Sequence, residues 1–204
     1  TKLFVVLGRI GKEEQDLHHK AICEDGVPVL RRSSGGGTVL QGRGCLNYSL
    51  ILSKRGDPRI ADLRQSYQVI LSKVTEVLEM LNIDAVFHPV SDVALRDTQK
   101  KISGNAQKRS KNFILHHGTI LYDFDLQLIE RYLQMPKDIP EYRRGRPHLD
   151  FVANIPVSSG AIKSAFKKVF DISNERKNLS HEEQGCLTLF RKTKKVCVKV
   201  AVSL

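Results

Sequence analysis

The stretch RRSSGGGTVL at residues 31–40 constrains the fold of this chain more than any other segment. It follows an apolar run at 27–30 that predicts a β-strand, and branched and apolar residues at 45–52 predict a longer strand after it. The three consecutive glycines at 35–37 allow backbone angles that are closed to other residues, and they let a ligand approach the main chain closely. The segment therefore predicts a glycine-rich turn between strands.

Two arginines, Arg31 and Arg32, stand immediately before this turn. Guanidinium groups beside bare backbone N–H groups make a site for an anion, whereas the same residues on a solvated edge would form an ordinary hairpin turn. The glycines have neither the G-x-G-x-x-G spacing nor the P-loop spacing of the usual nucleotide fingerprints. Both interpretations, an anion site and a plain turn, stay open on these residues alone.

A second stretch also places a cation close to a glycine in the sequence. Residues 100–107 read KKISGNAQ, and residues 112–121 read NFILHHGTIL and predict a further strand. Because Ser103, Gly104 and Asn105 are residue types favoured in turns, we expect a turn at 103–105, with a lysine at the strand edge before it.

The two stretches together closely resemble lipoate–protein ligase A and its relatives, the lipoyl and octanoyl transferases. The family patterns run approximately R-R-x-S-G-G-G-x-V-x-H-D-x-G-N, then K-x-S-G-x-A, then H-H-G-T-L-L, and the resemblance covers residues 3–155. It implies an α/β fold with mixed sheets flanked by helices, shared with the catalytic domain of biotin–protein ligase. We expect residues 1–204 to form a single catalytic domain with a truncated N-terminus and without an obvious C-terminal accessory domain.

The resemblance also implies the residues of the site. It assigns Lys101 as the catalytic lysine that contacts the acyl carbonyl and the α-phosphate. Lys100 is its neighbour on a strand, so only one of the two side chains can face inward. The residues implied to bind the substrate and its adenylate are Arg31, Arg32, Ser34, Gly35, Gly36, Gly37, Thr38, Cys45, Asn47, Gly104, Ala106, His117 and Gly118. No metal ligand is implied, and for His116 and His117 simple packing within a strand remains an equal alternative.

The chain departs from the family pattern directly after the glycines. Gln41 and Gly42 stand where the pattern has H-D, and Cys45 stands where it has Asn, with Asn47 two residues later. Two polar contacts expected beside the adenylate are thereby lost. Since the related transferases use a cysteine thioester, Cys45 is either a nucleophile or a thiol that lines the pocket.

Three functions follow from these observations. The first is an ATP-dependent lipoate–protein ligase that forms lipoyl-AMP and transfers the lipoyl group to a lysine of an acceptor lipoyl-domain protein. The second is an octanoyl or lipoyl transferase acting through a Cys45 thioester, and the third is a non-catalytic lipoyl-binding relative. The ligase would use lipoate or octanoate and ATP, with Mg²⁺ held largely by the phosphates, and a separate accessory domain for adenylation remains an option.

Composition agrees with a globular enzyme. The 204 residues carry a net charge of +11, with 41% hydrophobic and 27% charged residues. An acidic acceptor protein and a nucleotide would account for the positive charge, and neither a nucleic-acid module nor a membrane-spanning stretch is visible. The four cysteines lack metal-ligand spacing and suit reduced thiols, so we expect a cytoplasmic protein, or one of an organelle matrix if a targeting peptide was removed.

Helical periodicity marks the remaining elements. The clearest helix begins at Asp57 as N-cap with Pro58 in the first turn, and its apolar stripe continues to Leu81. Further helices are predicted at 12–24, 123–134 and 160–170, and further strands at 3–7, 85–87 and 92–95. The basic stretch 136–147 is either a mobile loop over the site or an ordinary surface loop. A short helix at 180–184 and a final strand or two at 186–202 complete the expectation.

Overall fold

The structure, a computed structural model, describes residues 2–173. The expectations for 180–184 and 186–202, together with Thr1, Cys186 and Cys197, lie outside the described residues. The predicted α/β architecture with mixed sheets and flanking helices is confirmed. No helix in the described part of the chain has the length and apolarity needed to cross a membrane.

Strands and helices follow one another in groups along the chain. The strands are β1 Phe4–Leu7, β2 Val29–Arg31, β3 Val39–Gln41, β4 Cys45–Ser53, β5 Ala85–His88, β6 Asp92–Leu95, β7 Lys101–Arg109 and β8 Phe113–Leu121. The helices are α1 Glu13–Asp16, α2 His19–Glu24, α3 Pro58–Ala61, α4 Leu63–Glu79, α5 Gln127–Tyr132, α6 His148–Phe151 and α7 Ser159–Val169, and a 3₁₀ turn spans Glu141–Arg143.

These strands form two sheets. In the small sheet the order is β2-β1-β3, with β1 parallel to β2 and antiparallel to β3. In the large sheet the order is β4-β8-β7-β6-β5, and every neighbouring pair is antiparallel. The glycine-rich turn joins β2 to β3, so it belongs to the small sheet, whereas the KKISGNAQ segment belongs to the large one.

Helix α4 covers one face of the large sheet. Its apolar side chains, including the fully buried Leu71, Val74 and Leu78, pack with Ile102 and Ile120 of the sheet in the main core. A second apolar cluster, which includes Val5, Leu40 and Phe124, lies beneath the small sheet. Burial of such stripes supplies most of the free energy that holds short helices and strands in place.

The predicted helix from Asp57 to Leu81 is interrupted once. Asp57 does cap the first helix, accepting a hydrogen bond from the Arg59 N–H, but α3 ends at Ala61. Asp62 then adopts an extended conformation and caps α4 by accepting from the Gln65 N–H. A second capping side chain inside the apolar stripe therefore starts a new helix.

The predicted turn at 103–105 is wrong. Strand β7 continues from Lys101 to Arg109, and the chain reverses instead at 110–112, before Phe113. Gly104 and Asn105 are thus interior strand residues. A glycine within a strand commonly marks a close approach by another group rather than a turn, and the group that approaches Gly104 is described below.

Two other helices are shorter than predicted. The segment 12–24 forms α1 and α2, separated at Leu17 and His18, because Leu17 forms an isolated antiparallel bridge to Leu133. The segment 123–134 is helical only over Gln127–Tyr132. The predictions for strands at 3–7, 85–87 and 92–95 and for a helix at 160–170 are confirmed within a residue.

Candidate active site

The Arg32 side chain holds the glycine turn from inside. Arg32 is buried, and its Nη2 donates to the carbonyl oxygens of Gly35 and Gly37 at 2.7 Å each, while Nε donates to Ser34 Oγ at 3.1 Å. Burial lowers the pKa of Arg32, but a guanidinium group stays charged at neutral pH. The turn is therefore wrapped around a fixed positive charge.

The Arg31 side chain holds the loop that faces the turn. Its Nη1 donates to the carbonyl oxygens of Gly8 at 3.0 Å and Gly11 at 2.6 Å. The two loops touch backbone to backbone, because a Cβ placed on Gly8 would lie only 1.9 Å from the Gly36 carbonyl oxygen. Both guanidinium groups therefore donate to main-chain oxygens around the glycine turn.

The glycine turn lies against the large sheet. Gly36 has a φ of +87°, and its missing Cβ would lie 3.7 Å from Ala106 Cβ on β7. Ser34 Oγ lies 2.6 Å from Nε2 of His117 on β8. Burial and the neighbouring Arg32 charge lower the pKa of His117 to about 4, so this imidazole is neutral at pH 7. The small sheet thus delivers its glycines to the face that carries Ala106 and His117.

A β-bulge directs Lys101 to this same face. Val93 pairs with Ser103 but the next residue, Ala94, pairs with Lys101, so Ile102 is an extra residue in β7. Ile102 and Ser103 are both buried. The bulge reverses the alternation of the strand and turns Lys101 to the side of Gly104.

The Lys101 side chain lies across the Gly104 backbone. A Cβ on Gly104 would come 3.0 Å from Lys101 Cε and 3.1 Å from Nζ. Lys100, by contrast, is directed elsewhere, with its Nζ 3.4 Å from the Leu149 carbonyl oxygen. Of the two adjacent lysines, only Lys101 therefore lies on the face with the glycine turn.

Two residues that the sequence did not single out complete the surroundings of Lys101. Its Nζ lies 2.8 Å from Asp92 Oδ1, and the Tyr142 hydroxyl donates to Asp92 Oδ2 at 2.8 Å. The Tyr142 ring is stacked on His88, with the ring centroids 4.0 Å apart. Burial and the Asp92 charge raise the pKa of Tyr142, so the phenol remains a donor. No pattern in the sequence marks either residue, although Asp92 begins a predicted strand.

Tyr142 comes from the basic stretch 136–147, which lies at the edge of the site and contains the 3₁₀ turn Glu141–Arg143. Arg143 is buried and donates to the Arg146 carbonyl oxygen, and its guanidinium carbon lies 4.5 Å from the Phe151 ring centroid. Arg146 donates to the Gln99 carbonyl oxygen at 2.8 Å. Both arginines thus bind main-chain oxygens, and Tyr142 is the loop residue that contacts the Lys101–Asp92 pair.

A ring of three polar side chains borders Gly104 on the other side. Gln41 Nε2 donates to Thr119 Oγ1 at 3.0 Å, Asn47 Nδ2 donates to Gln41 Oε1 at 2.9 Å, and Thr119 Oγ1 donates to Asn47 Oδ1 at 2.5 Å. Thr119 is the register partner of Gly104. Gln41, which departs from the family pattern, is therefore integrated with Asn47 in one network.

Three of the residues that the resemblance implies for substrate binding face other parts of the protein. Thr38 donates to Asp16 Oδ2 and so faces α1. Gly118 faces the core side, because a Cβ there would lie 1.9 Å from Asn105 Oδ1. Cys45 packs against the second apolar cluster, and burial raises the pKa of its thiol to about 11. A thiol with this pKa is protonated at neutral pH and is a poor nucleophile.

His116 faces away from the site. It is fully buried beside Tyr48 and Tyr67. Burial, and to a lesser extent the neighbouring His117, lowers the pKa of His116 to about 3.

Among residues 2–173, no group of three or more histidine, cysteine, aspartate or glutamate side chains is arranged to hold a metal ion. The Lys101 ammonium group, the Asp92 carboxylate and the main chain of the glycine turn are the polar groups that lie together at this candidate site.

Comparison with known proteins identifies relatives. The family model described as "Lipoyl protein ligase A/B catalytic domain" matches residues 2–170. Lipoate-protein ligase LplJ of Bacillus subtilis is 30% identical over 151 residues, which cover 74% of this chain and 44% of that protein. The chain spans less than half the length of the curated relatives it matches.

Solved structures share the fold. A bipartite lipoate protein ligase of Thermoplasma acidophilum, studied with its E2 lipoyl domain, superimposes with a TM-score of 0.80 at 23% identity, covering 95% of this chain and 77% of that one. A lipoate-protein ligase A solved with bound ATP gives a TM-score of 0.78 at 22% identity, covering 95% and 79%. At these identities the match establishes the fold alone.

Proposed function

Because this chain belongs to the lipoyl protein ligase A/B catalytic domain family, we propose that it catalyses ATP-dependent attachment of lipoate to a lysine of an acceptor protein. The observation that carries the proposal is the position of Lys101. Its ammonium group lies on Gly104, on the face of the sheet against which the glycine turn is packed. A fixed cation beside exposed main chain suits a reaction that develops negative charge on phosphate and carbonyl oxygens.

The chemistry proceeds in two steps. A carboxylate oxygen of lipoate attacks the α-phosphorus of ATP, and pyrophosphate leaves. The ε-amine of the acceptor lysine then attacks the carbonyl carbon, AMP leaves, and the amine loses a proton as the amide forms. In both steps charge builds on oxygen atoms, and one preorganised donor typically lowers such a barrier by about 2.7–4 kcal/mol.

We assign to Lys101 the role of stabilising this negative charge, through contact with the acyl carbonyl and the α-phosphate. Asp92 and Tyr142 hold the ammonium in place before substrate arrives. Holding a flexible lysine in advance reduces the entropy lost when it contacts the reacting atoms.

The glycine turn is assigned to the acyl chain and the adenylate. The Cβ positions of Gly35 and Gly37 have no atom within 4 Å, so the main chain faces open space there, as a closely approaching ligand requires. Arg32 places its positive charge directly behind this turn. Mg²⁺ would arrive with ATP and be held largely by the phosphates, since it binds through few protein ligands.

The alternative of a thioester on Cys45 receives no support from the site. The thiol is packed in the second apolar cluster with its pKa raised to about 11, and none of the described side chains is hydrogen-bonded to it. We therefore assign Cys45 a packing role in the ligase.

An acylation assay tests the proposal. The protein is incubated with lipoate and an apo lipoyl domain, with or without ATP and Mg²⁺, and the acceptor is weighed by intact mass spectrometry while pyrophosphate release is followed separately. We expect an ATP-dependent gain of one lipoyl group that is lost in Lys101→Ala. Lys100→Ala is the matched control, because the neighbouring lysine is directed to Leu149, and it should retain activity.

Two results would reject the ligase. One is acylation that needs no ATP, proceeds from an octanoylated carrier, and disappears in Cys45→Ser; that would establish the transferase. The other is binding of lipoate without either pyrophosphate release or transfer even when a separate accessory domain is supplied, which would indicate a non-catalytic relative. Retention of full activity in Lys101→Ala would reject the role assigned to that lysine.

A further inference from the structure

The face of the large sheet that carries Lys101 is covered only in part. Its residues form rows across β7, β8 and β4, because register partners point to the same side. The row of Gly104, Thr119 and Asn47 lies beneath Lys101 and Gln41. The next row contains Ala106 and His117, which the glycine turn contacts.

Beyond the glycine turn, none of the elements within residues 2–173 covers the apolar side chains Ile51 and Phe113 on the same face. The third row consists of Lys108, Leu115 and Ile51, and Phe113 stands one step further along β8. Ile51 is 68% exposed and Phe113 is 51% exposed, which is unusual for apolar side chains on a sheet. We call these four residues, together with Lys111 in the β7–β8 turn, the tip surface.

Positive charge lies beside the apolar centre of the tip surface, at Lys108 and Lys111. The adjoining segments 54–64 and 108–111 contain seven lysine and arginine residues and two aspartates. Of these cations, Arg109 is directed to the opposite face, where it donates to Ser66 Oγ and to the carbonyl oxygens of Ile60 and Ala61. One aspartate, Asp57, is ion-paired with Arg59 at 2.8 Å, and the other, Asp62, caps α4. Lys108 and Lys111 are exposed, so their charges are available to a partner.

We propose that the tip surface is the docking site for the acceptor domain, and that the acceptor presents acidic side chains around an apolar contact. This inference rests on the proposed function. An aromatic and aliphatic centre with a charged rim is the composition of a protein interface. Nucleic acids bind chiefly through cations to phosphate, so exposed Phe113 and Ile51 favour a protein over a polyanion.

The geometry also suits delivery of the acceptor lysine. Lys108 and Gly104 lie on the same face of β7 and are four residues apart, which corresponds to about 13 Å along a strand. A domain seated on the tip surface would therefore reach Lys101 with a protruding turn that passes over the glycine turn, which covers Ala106 and His117 in between. Docking beside the glycine turn leaves the adenylate site itself free.

The test separates docking from adenylation. The probe is an apo E2 lipoyl domain. One variant combines Lys108→Glu with Lys111→Glu, and a second variant carries Phe113→Ser alone. All three residues are exposed, so folding should be unaffected. The matched control is Lys20→Glu with Lys73→Glu, which makes the same charge change on the exposed sides of α2 and α4.

We expect the KM for the lipoyl domain to rise about tenfold in the lysine pair and about fivefold in Phe113→Ser. Pyrophosphate release from lipoate and ATP without acceptor should stay at the wild-type rate. Added salt should raise the acceptor KM of the wild type more than that of the lysine pair. The control pair should match the wild type in all three measurements.

An acceptor KM within twofold of wild type in both variants would overturn the docking site. So would an equal rise in the control pair, which would show only the effect of net charge. If the wild type releases no pyrophosphate even when a separate accessory domain is supplied, the proposed function fails. Direct titration of a fluorescently labelled lipoyl domain against wild type and variants then decides the docking site. Loss of binding to DNA or anionic vesicles with unchanged lipoyl-domain affinity would assign the surface to those partners instead.

Discussion

Lys101 and Asp92 form an ion pair in which Nζ and Oδ1 are 2.8 Å apart and both side chains are largely withdrawn from solvent, at 28% and 13% exposure. The pair joins β7 to β6 at the β-bulge, and Asp92 accepts a further hydrogen bond from Tyr142. The Lys101 ammonium group is thereby held in one position. The residues around Lys101 determine the position of its ammonium group more than they determine its charge.

Asp92→Asn should reduce the rate of adenylate formation. Asparagine keeps the size of the side chain but removes the charge that holds Lys101, and hydrogen bonds to charged groups contribute about 1.5–3 kcal/mol, or roughly 10- to 100-fold in rate. The KM for lipoate should change little. Pyrophosphate release measures the effect, and Asp84→Asn, which removes an exposed ion pair to Arg96, is the control expected to remain active.

Tyr142→Phe should have a smaller effect in the same assay. The phenyl ring retains the stacking on His88, while Asp92 loses one donor, so we expect about a fivefold lower rate. Combined with Asp92→Asn, the change should add little, because the two residues act on the same ammonium group. Fully additive losses in the double variant would contradict this arrangement.

Gly104→Ala should impair catalysis without unfolding the protein. The new methyl group would lie 3.0 Å from Lys101 Cε, and the long side chain can move away at little cost to stability. Lys101 would then leave its position, and we expect at least a tenfold lower rate, on the order of 1.4 kcal/mol, with a nearly unchanged melting temperature. Gly160→Ala, where the nearest atom is 3.9 Å away, should match the wild type in both measurements.

Gly8→Ala should destabilise the fold as well as the site. Here the methyl group would meet the Gly36 carbonyl oxygen at 1.9 Å, and two backbones must separate. Forced overpacking costs about 1–3 kcal/mol, which urea denaturation would detect. Gly37→Ala adds the same methyl group in open space and should leave the free energy of unfolding unchanged.

Stability should fall in mild acid because of two buried histidines. The pKa is lowered to about 3 for His116 and to about 4 for His117, whereas histidine in the unfolded chain titrates near 6.5. The unfolded state therefore binds protons below pH 6.5 that the folded state does not. The free energy of unfolding should drop by about 1.5 kcal/mol per histidine between pH 6.5 and pH 5.

Urea titrations at several pH values test this loss of stability. Above pH 6.5 the contribution is fully present, so the titrations should be nearly superimposable there as far as these groups are concerned. His117→Gln should flatten the dependence between pH 6.5 and pH 5 even if it lowers stability overall. An unchanged slope would mean that His117 is protonated in the folded protein.

Local signals were sufficient to predict the elements but not their ends. The apolar stripe of α4 is a periodic pattern in the sequence, and branched and apolar residues indicate β8. The sequence predicts a turn at Gly104, but in the structure the missing side chain of this glycine makes room for Lys101. Local composition cannot distinguish a glycine that turns the chain from one that another group approaches.

The site was predictable where it consists of contiguous residues. The glycine turn and Lys101 stand in two compact motifs, whereas Asp92 and Tyr142 are joined to Lys101 only by the pairing of β6 with β7 and by the path of a loop. The β-bulge is likewise a property of two strands together. Contacts between distant segments depend on register, which a single segment does not encode.

The hydrogen bonds from Arg32 to the glycine turn affect the entropy that the turn loses when a ligand binds. A run of three glycines would ordinarily lose much conformational entropy on closing around a ligand. Here the carbonyl oxygens of Gly35 and Gly37 are already bound in the free protein. Most of the ordering therefore takes place when the chain folds, and association with an anion is left to depend on desolvation and charge.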